Sequence, residues 1–210
     1  MNRYDSIIFD LDGTLWNASS ASAKGWNSGL ASFGFNNIAI SPQDMDAVSG
    51  KPFLECVEAL LSKYSVSLDE KLINAMNAHE KVFIEGEGGD LYEGVIGGLK
   101  TLSKTCPLFL ISNCQDWYLD AFWKHFSVKS YFQSSDCNGR AGVLKAEMIA
   151  SMVNKYELNK PIYIGDTKGD EQASEAARVD FGFAEYGFGK AENPTVRFKS
   201  FRSIIDWLDE

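Results

Sequence analysis

Short apolar runs recur along the chain, and three of them end on polar residues. Residues 6–9 lead into Asp10, residues 108–111 into Ser112-Asn113, and residues 161–165 into Asp166. Runs of this length, bounded by turn residues, predict buried strands. After them the apolar positions recur at helical spacing. Val95, Leu99 and Leu102 predict a helix ending before Pro107, and residues 118–126 predict a second. Leu144, Ile149 and Val153 mark a third, residues 171–178 a fourth, and residues 201–208 a last one. Residues 130–132 and 181–184 read as further short strands, and 136–142 as a loop. Strands alternating with helices predict an α/β class, a Rossmann-like, mostly parallel sheet sandwiched by helices.

Residues 16–89 break this alternation. Residues 18–33 read as a helix closed by Gly34, and Ser41-Pro42 as a cap followed by a first-turn proline. Gly50-Lys51-Pro52 interrupts the next piece; Gly34 and Gly50 read as turn glycines. Phe53, Val57, Leu60 and Leu61 then repeat at helical spacing, and Leu72, Met76 and Phe83 form another stripe behind a helix start at Asp69-Glu70. No strand is expected here, and residues 86–89 read as the linker back. The chain therefore divides into a core (1–15 and 91–210) and a helical insert (16–90). In parallel α/β sheets ligands bind beyond the carboxyl ends of the strands. The polar strand ends should meet in one crevice, with the insert over it as a cap.

Composition sharpens this picture in two respects. A net charge of −9 over 210 residues argues against nucleic acid and anionic membrane surfaces as partners. No stretch has transmembrane length, and Asp10 and Asp12 interrupt what would otherwise open like a secretory signal. Cys56, Cys106, Cys114 and Cys137 match no C-x-x-C pattern, so reduced thiols and a cytoplasmic location are expected.

The chemistry gathers at the strand ends. Asp10 and Asp12, two apart in extended chain, point the same way, and Gly13 permits a turn directly after them. Two carboxylates so placed raise each other's pKa unless a cation lies between them, which predicts a metal site, a proton-transfer pair, or both. Asp166 and Asp170 add two more carboxylates in Gly-Asp-Thr-Lys-Gly-Asp. With Asp10 and a nearby carbonyl they form the all-oxygen set that suits Mg²⁺. On its own, the second pair is equally an N-cap with a first-turn acid. Ser112 offers a hydroxyl, the backbone N–H groups near Ser112-Asn113 and Asp12-Gly13 can cradle an oxyanion, and Lys145 is the matching cation. Lys51 is either a cover for the far end of a substrate or an ordinary turn residue. His79 and His125 have no partner at a motif-like spacing, and no P-loop is present.

Together these residues resemble the four sequence marks of the haloacid dehalogenase-like hydrolase superfamily. Asp10-Leu11-Asp12-Gly13-Thr14 resembles the first, Ser112-Asn113 the second, Lys145 the third, and Gly165-Asp166-Thr167 with Asp170 the fourth. The insert lies where the capped phosphatases of the phosphoglycolate phosphatase-like and β-phosphoglucomutase-like kind carry theirs. The resemblance implies Asp10 as nucleophile, forming an aspartyl-phosphate, and Asp12 as general acid and then base. It implies Mg²⁺ held by Asp10, the Asp12 carbonyl and Asp166, with Asp170 direct or through water. Gly13, Ser112 and Asn113 would orient phosphoryl oxygens, with Lys145 offsetting charge. The dehalogenases lack the second Asp, so Asp12 argues against carbon–halogen chemistry. The expected activity is Mg²⁺-dependent hydrolysis of a small phosphorylated metabolite by a monomer or homodimer. The alternatives are a phosphomutase using the same residues and a non-catalytic binding module on the same fold.

Overall fold

The computed structural model describes residues 4–64 and 66–208. In chain order the strands are β1 (Ser6–Phe9), β2 (Trp16–Asn17), β3 (Asp90–Leu91), β4 (Leu108–Ser112), β5 (Ser134–Cys137), β6 (Pro161–Gly165), β7 (Asp180–Ala184) and β8 (Val196–Phe198). The helices are α1 (Ser19–Ser32), α2 (Pro42–Val48), α3 (Phe53–Leu61), α4 (Glu70–Glu87), α5 (Val95–Leu102), α6 (Asp116–Phe126), α7 (Asn138–Ala141), α8 (Lys145–Lys155), α9 (Lys168–Ala176) and α10 (Phe201–Leu208).

Six strands form one sheet in the order β5-β4-β1-β6-β7-β8, and every neighbouring pair is parallel. β1, β4 and β6 are buried along their whole length, which is why they read as unbroken apolar runs. One face packs Phe9, Leu110 and Ile164 with Leu99, Phe122 and Phe201, and the other packs Ile8, Phe109 and Tyr163 with Ile149 and Ala173. After β1 the sheet grows on one side through β4 and β5, then crosses back to grow on the other through β6, β7 and β8, so the reversal beside β1 is the switch point where such sheets open a crevice. Phe9 is level with Leu110 and Ile164, which sets Asp10, Ser112 and Asp166 side by side at the carboxyl edge.

Helices α1 to α4 have a separate hydrophobic cluster built on Trp26, Leu30, Val57, Leu61, Leu72 and Met76. Ser41 and Asp44 form a reciprocal capping box with Pro42 at the first turn of α2, and Asp69 caps α4. α1 and α4 approach so closely at Gly25 that an added Cβ would stand 2.4 Å from the Glu80 Cα. Gly25→Ala is therefore expected to destabilise the fold by about 1–3 kcal/mol through overpacking. Gly86, with nothing within 4 Å of a built Cβ, should respond in the opposite sense, gaining up to about 1 kcal/mol of helix propensity. Denaturant midpoints of the two variants check the pair of signs.

The structure departs from the sequence reading at the margins. Residues 130–132 are not a strand: 129–131 form a 3₁₀ turn, and the edge strand follows at Ser134–Cys137. Its Ser-Ser-Asp-Cys sequence has no apolar alternation to betray it. Residues 136–142 are not a plain loop, because β5 runs through Cys137 and a helical turn follows at Asn138–Ala141. β8 and the small antiparallel pair β2–β3 are too short to give a period. α4 continues to Glu87, which confines the return linker to Gly88-Gly89, and α9 starts three residues before 171.

Candidate active site

Asp10 stands one residue beyond β1, where its N–H still donates to the Ile164 carbonyl at 2.8 Å, so sheet pairing fixes its backbone. Its side chain is 1% exposed. Lys145, the first residue of α8, reaches in from the facing layer and donates to Asp10 Oδ1 at 2.9 Å and to Asp170 Oδ1 at 2.6 Å. Asp10 Oδ2 has no hydrogen-bond partner despite its burial. Asp166 and Asp170 are fully buried, and with Asp10 they bring carboxylate oxygens within 4.8 Å of one another.

The two later carboxylates converge for a reason the spacing alone does not give. Asp166 precedes α9 and extends from the end of β6, whereas Asp170 belongs to the first helical turn. Thr167 is the N-cap: its hydroxyl accepts from Asp170 N while Asp170 Oδ2 accepts from Thr167 N at 3.0 Å. Asp170 Oδ1 also accepts from the Tyr163 hydroxyl at 3.3 Å. Asp170 is thus both a first-turn acid and a member of the carboxylate cluster.

Gly13 meets two demands at once. Its φ is +79°, and a Cβ there would stand 2.1 Å from Asp166 Oδ2. On the other flank of Asp166, the Phe188 N–H donates to Oδ2 at 2.8 Å.

Asp12 lies on the insert side. Its Oδ1 accepts from the Tyr118 hydroxyl at 2.6 Å and from Trp16 Nε1 at 2.9 Å. Ser112 Oγ accepts from Cys114 N, which leaves its own proton free to donate. The Asn113 side-chain Nδ2 donates to the Gly50 carbonyl of the insert at 2.7 Å, so its amide ties the insert to the sheet edge. Lys51 lines the cavity beside Gly50 but is exposed.

Burial governs the electrostatics. It pushes Asp10 up to about 7, with Asp170 adding to the rise and Lys145 opposing it. It pushes Asp12 up to about 6 against the hydrogen bonds from Tyr118 and Trp16. Asp166 is raised well above the carboxylate range by burial and by Asp170 and Asp10. Burial works against the Lys145 ammonium, but Asp10 and Asp170 outweigh it and hold its pKa above the usual value. Three buried carboxylates against one ammonium, with one oxygen left unpartnered, fit a hard divalent cation.

A pH dependence follows. Carboxyls with raised pKa hold protons in the folded protein that the unfolded chain releases. In chelator, the stability due to Asp10 and Asp12 is therefore full below the ordinary range near 4 and lost as pH rises toward about 7. Asp44, held down at about 2 by Ser41, titrates below that window. The thermal midpoint of the chelated protein should fall between pH 5 and 8, and a divalent cation should restore it most at pH 8. A midpoint that rises across this window would contradict the carboxylate assignment.

Several residues of the site were not singled out from the sequence. Tyr118 and Trp16 hold Asp12, and Phe188 holds Asp166 from a loop behind β7. Glu80 lines the same cavity as Asp10 and Asp12 and is 4% exposed. A signal for Glu80 did exist: it occupies the buried stripe Leu72, Met76, Glu80, Ile84 of α4, where an apolar residue would be expected.

A profile of the haloacid dehalogenase-like hydrolases matches residues 7–184 of the chain. A phosphoglycolate phosphatase of Rhodobacter capsulatus is 29% identical over 192 residues, covering 88% of this chain and 86% of its own. One from Photobacterium profundum is 24% identical over 217 residues, covering 95% and 93%. Among solved structures, a haloacid dehalogenase-like hydrolase of Streptococcus pneumoniae superimposes with a TM-score of 0.80 at 18% identity, covering 97% of this chain and 98% of its own. At that identity the likeness speaks for the fold alone. No helix among the described residues is long and apolar enough to cross a membrane.

Proposed function

The chain belongs to the haloacid dehalogenase-like hydrolase family and is a phosphatase of it; from that premise we propose that it hydrolyses a small phosphorylated metabolite with Mg²⁺ and a covalent intermediate on Asp10. The observation that carries this reading is the Asp10 carboxylate, buried, oriented by Lys145 through one oxygen and left without a partner at the other. That is how a nucleophile is held ready. Asp10 attacks phosphorus and the bond to the leaving oxygen breaks. Asp12, whose carboxyl sits beneath Tyr118 and Trp16 with its pKa raised to about 6, gives that oxygen its proton. Asp12 then takes a proton from the water that attacks phosphorus, releasing phosphate and restoring Asp10. Ser112 Oγ and the backbone N–H of Asn113 orient the phosphoryl oxygens, since the Asn113 amide is engaged by Gly50; Gly13, expected to share this task, instead donates its N–H to the Trp16 carbonyl at 2.9 Å and serves the turn. Asp10, Asp166 and the Asp12 carbonyl would hold Mg²⁺, with Asp170 direct or through water. The ion would offset the repulsion between dianion and carboxylate. Residues 16–90 act as the cap over this crevice.

The names of the curated relatives support a small phosphate ester as substrate. The intact set Asp10, Asp12, Lys145 and Asp166 weighs against a binding module. The test is phosphate release from an aryl phosphate and a panel of small phosphate esters, in Mg²⁺ and in chelator. Mg²⁺-dependent release supports the proposal, and phosphoryl migration within a sugar phosphate without release would favour the mutase.

A further inference from the structure

Two buried polar groups in the cavity take no part in the chemistry above. Glu80 of α4 is 4% exposed and Trp26 of α1 is 1% exposed, and both line the cavity that also contains Asp10 and Asp12. Glu80 Oε2 and Trp26 Nε1 each lack a hydrogen bond of normal geometry, although Trp26 and Ser22 lie near enough to oppose the rise that burial imposes on the Glu80 carboxyl. Buried groups without a well-formed bond are rare in folded proteins and mark a place that a water, an ion or a ligand can complete. The fold holds them in place. Gly25 seats α1 against the Glu80 backbone, and Trp26 follows it directly in the chain.

We propose that Glu80 and Trp26 form the specificity end of the substrate cavity and select a small phosphate ester carrying a hydroxyl group, while rejecting one that carries a carboxylate. The inference rests on the phosphatase reading and names the substrate class for that site. A hydroxyl both donates and accepts, so it can give its proton to the Glu80 carboxylate and accept from the Trp26 indole N–H. An ammonium group has only donors and leaves the indole unmet. A carboxylate has only acceptors and brings a like charge toward Glu80, in a cavity already under the field of Asp12. The one cation lining this cavity, Lys51, is exposed rather than set beside the buried pair. A cavity of about 80 Å³ favours a small ester. This chemistry separates the chain from the glycolate ester named for its curated relatives.

The test is calorimetric binding of four non-hydrolysable phosphonates to the intact protein at pH 8 with Mg²⁺: dihydroxypropyl-, propyl-, aminoethyl- and carboxymethylphosphonate. The hydroxyl compound should bind about 10- to 100-fold more tightly than the propyl compound, the range of a buried hydrogen bond to a charged group. Glu80→Leu should erase that preference. Glu80→Gln, which keeps shape and an acceptor, should retain part of it while relieving the rejection of the carboxylate. Trp26→Phe should weaken the hydroxyl compound alone. These two variants keep the test open if Glu80→Leu fails to fold. Tighter binding of the carboxylate or ammonium compound, a hydroxyl preference that survives Glu80→Leu, or no binding by any of the four overturns the proposal. If the hydroxyl preference is present but the matching phosphate ester is not hydrolysed, the phosphatase reading fails and the assignment of Glu80 stands.

Discussion

Replacing Asp10 with Asn should reduce Mg²⁺-dependent phosphate release by more than about a thousandfold, the scale at which removal of a catalytic nucleophile is felt. The substitution keeps size and shape at a position fixed by the Asp10 N–H bond to Ile164, and it keeps an oxygen to accept from Lys145. What it removes is the charged oxygen that attacks phosphorus in the proposed mechanism and, with it, one carboxylate of the cluster around Asp166 and Asp170. The fold should survive. Burial raises Asp10 to about 7, so the neutral amide relieves a desolvation cost in the cation-free protein. Loss of turnover with stability unchanged or raised in chelator is the expected signature. A loss of turnover that only follows unfolding would leave Asp10 as a structural residue.

The second large effect belongs to Lys145. Its ammonium is 4% exposed and bonded to Asp10 and Asp170, which are 1% and 0% exposed. Lys145→Met leaves those carboxylates buried without their counter-charge, a change that typically costs about 3–5 kcal/mol. The denaturant midpoint at pH 8 in chelator should drop accordingly. The loss should shrink as pH falls, beginning above the value of about 7 that Asp10 has beside Lys145, because losing the ammonium raises Asp10 further and lets it take up a proton. Adding Asp170→Asn should recover part of the stability, since the two sites share one network. Turnover should fall by about 10²–10³, as when one preorganised electrostatic contact to a transition state is removed. A Lys145→Met variant as stable as the parent at pH 8 would contradict the burial and pairing described here.

Much of the site was legible because its signals are local. Asp10, Ser112 and Asp166 each end an apolar run, and the parallel sheet brings such ends together whatever their separation in sequence. Asp170 was legible from its place four residues after Asp166, and Lys145 as the cation at a helix start, each gaining weight as a member of a family mark. The contacts that complete the site are of another kind. Phe188 reaches Asp166 across 22 residues and Tyr118 reaches Asp12 across 106, and neither has a spacing that announces the pairing. The Asn113 amide binds Gly50, because the insert meets the sheet edge through a backbone carbonyl that no sequence pattern marks. The missed edge strand β5 shows the same limit: half-buried and polar, it is held by pairing with β4 rather than by an apolar face. Glu80 is the instructive exception, since its place in the apolar stripe of α4 was readable.

If Asp10 carries the phosphoryl group during turnover, the aspartyl-phosphate can be trapped and located. Protein turning over a phosphate ester labelled in its phosphoryl group would be quenched in acid at early times, digested, and mapped by mass. The expected result is a phosphoryl adduct on the peptide containing Asp10, dependent on Mg²⁺ and absent in Asp10→Asn. An adduct on another residue, or undiminished phosphate release by Asp10→Asn, would contradict it.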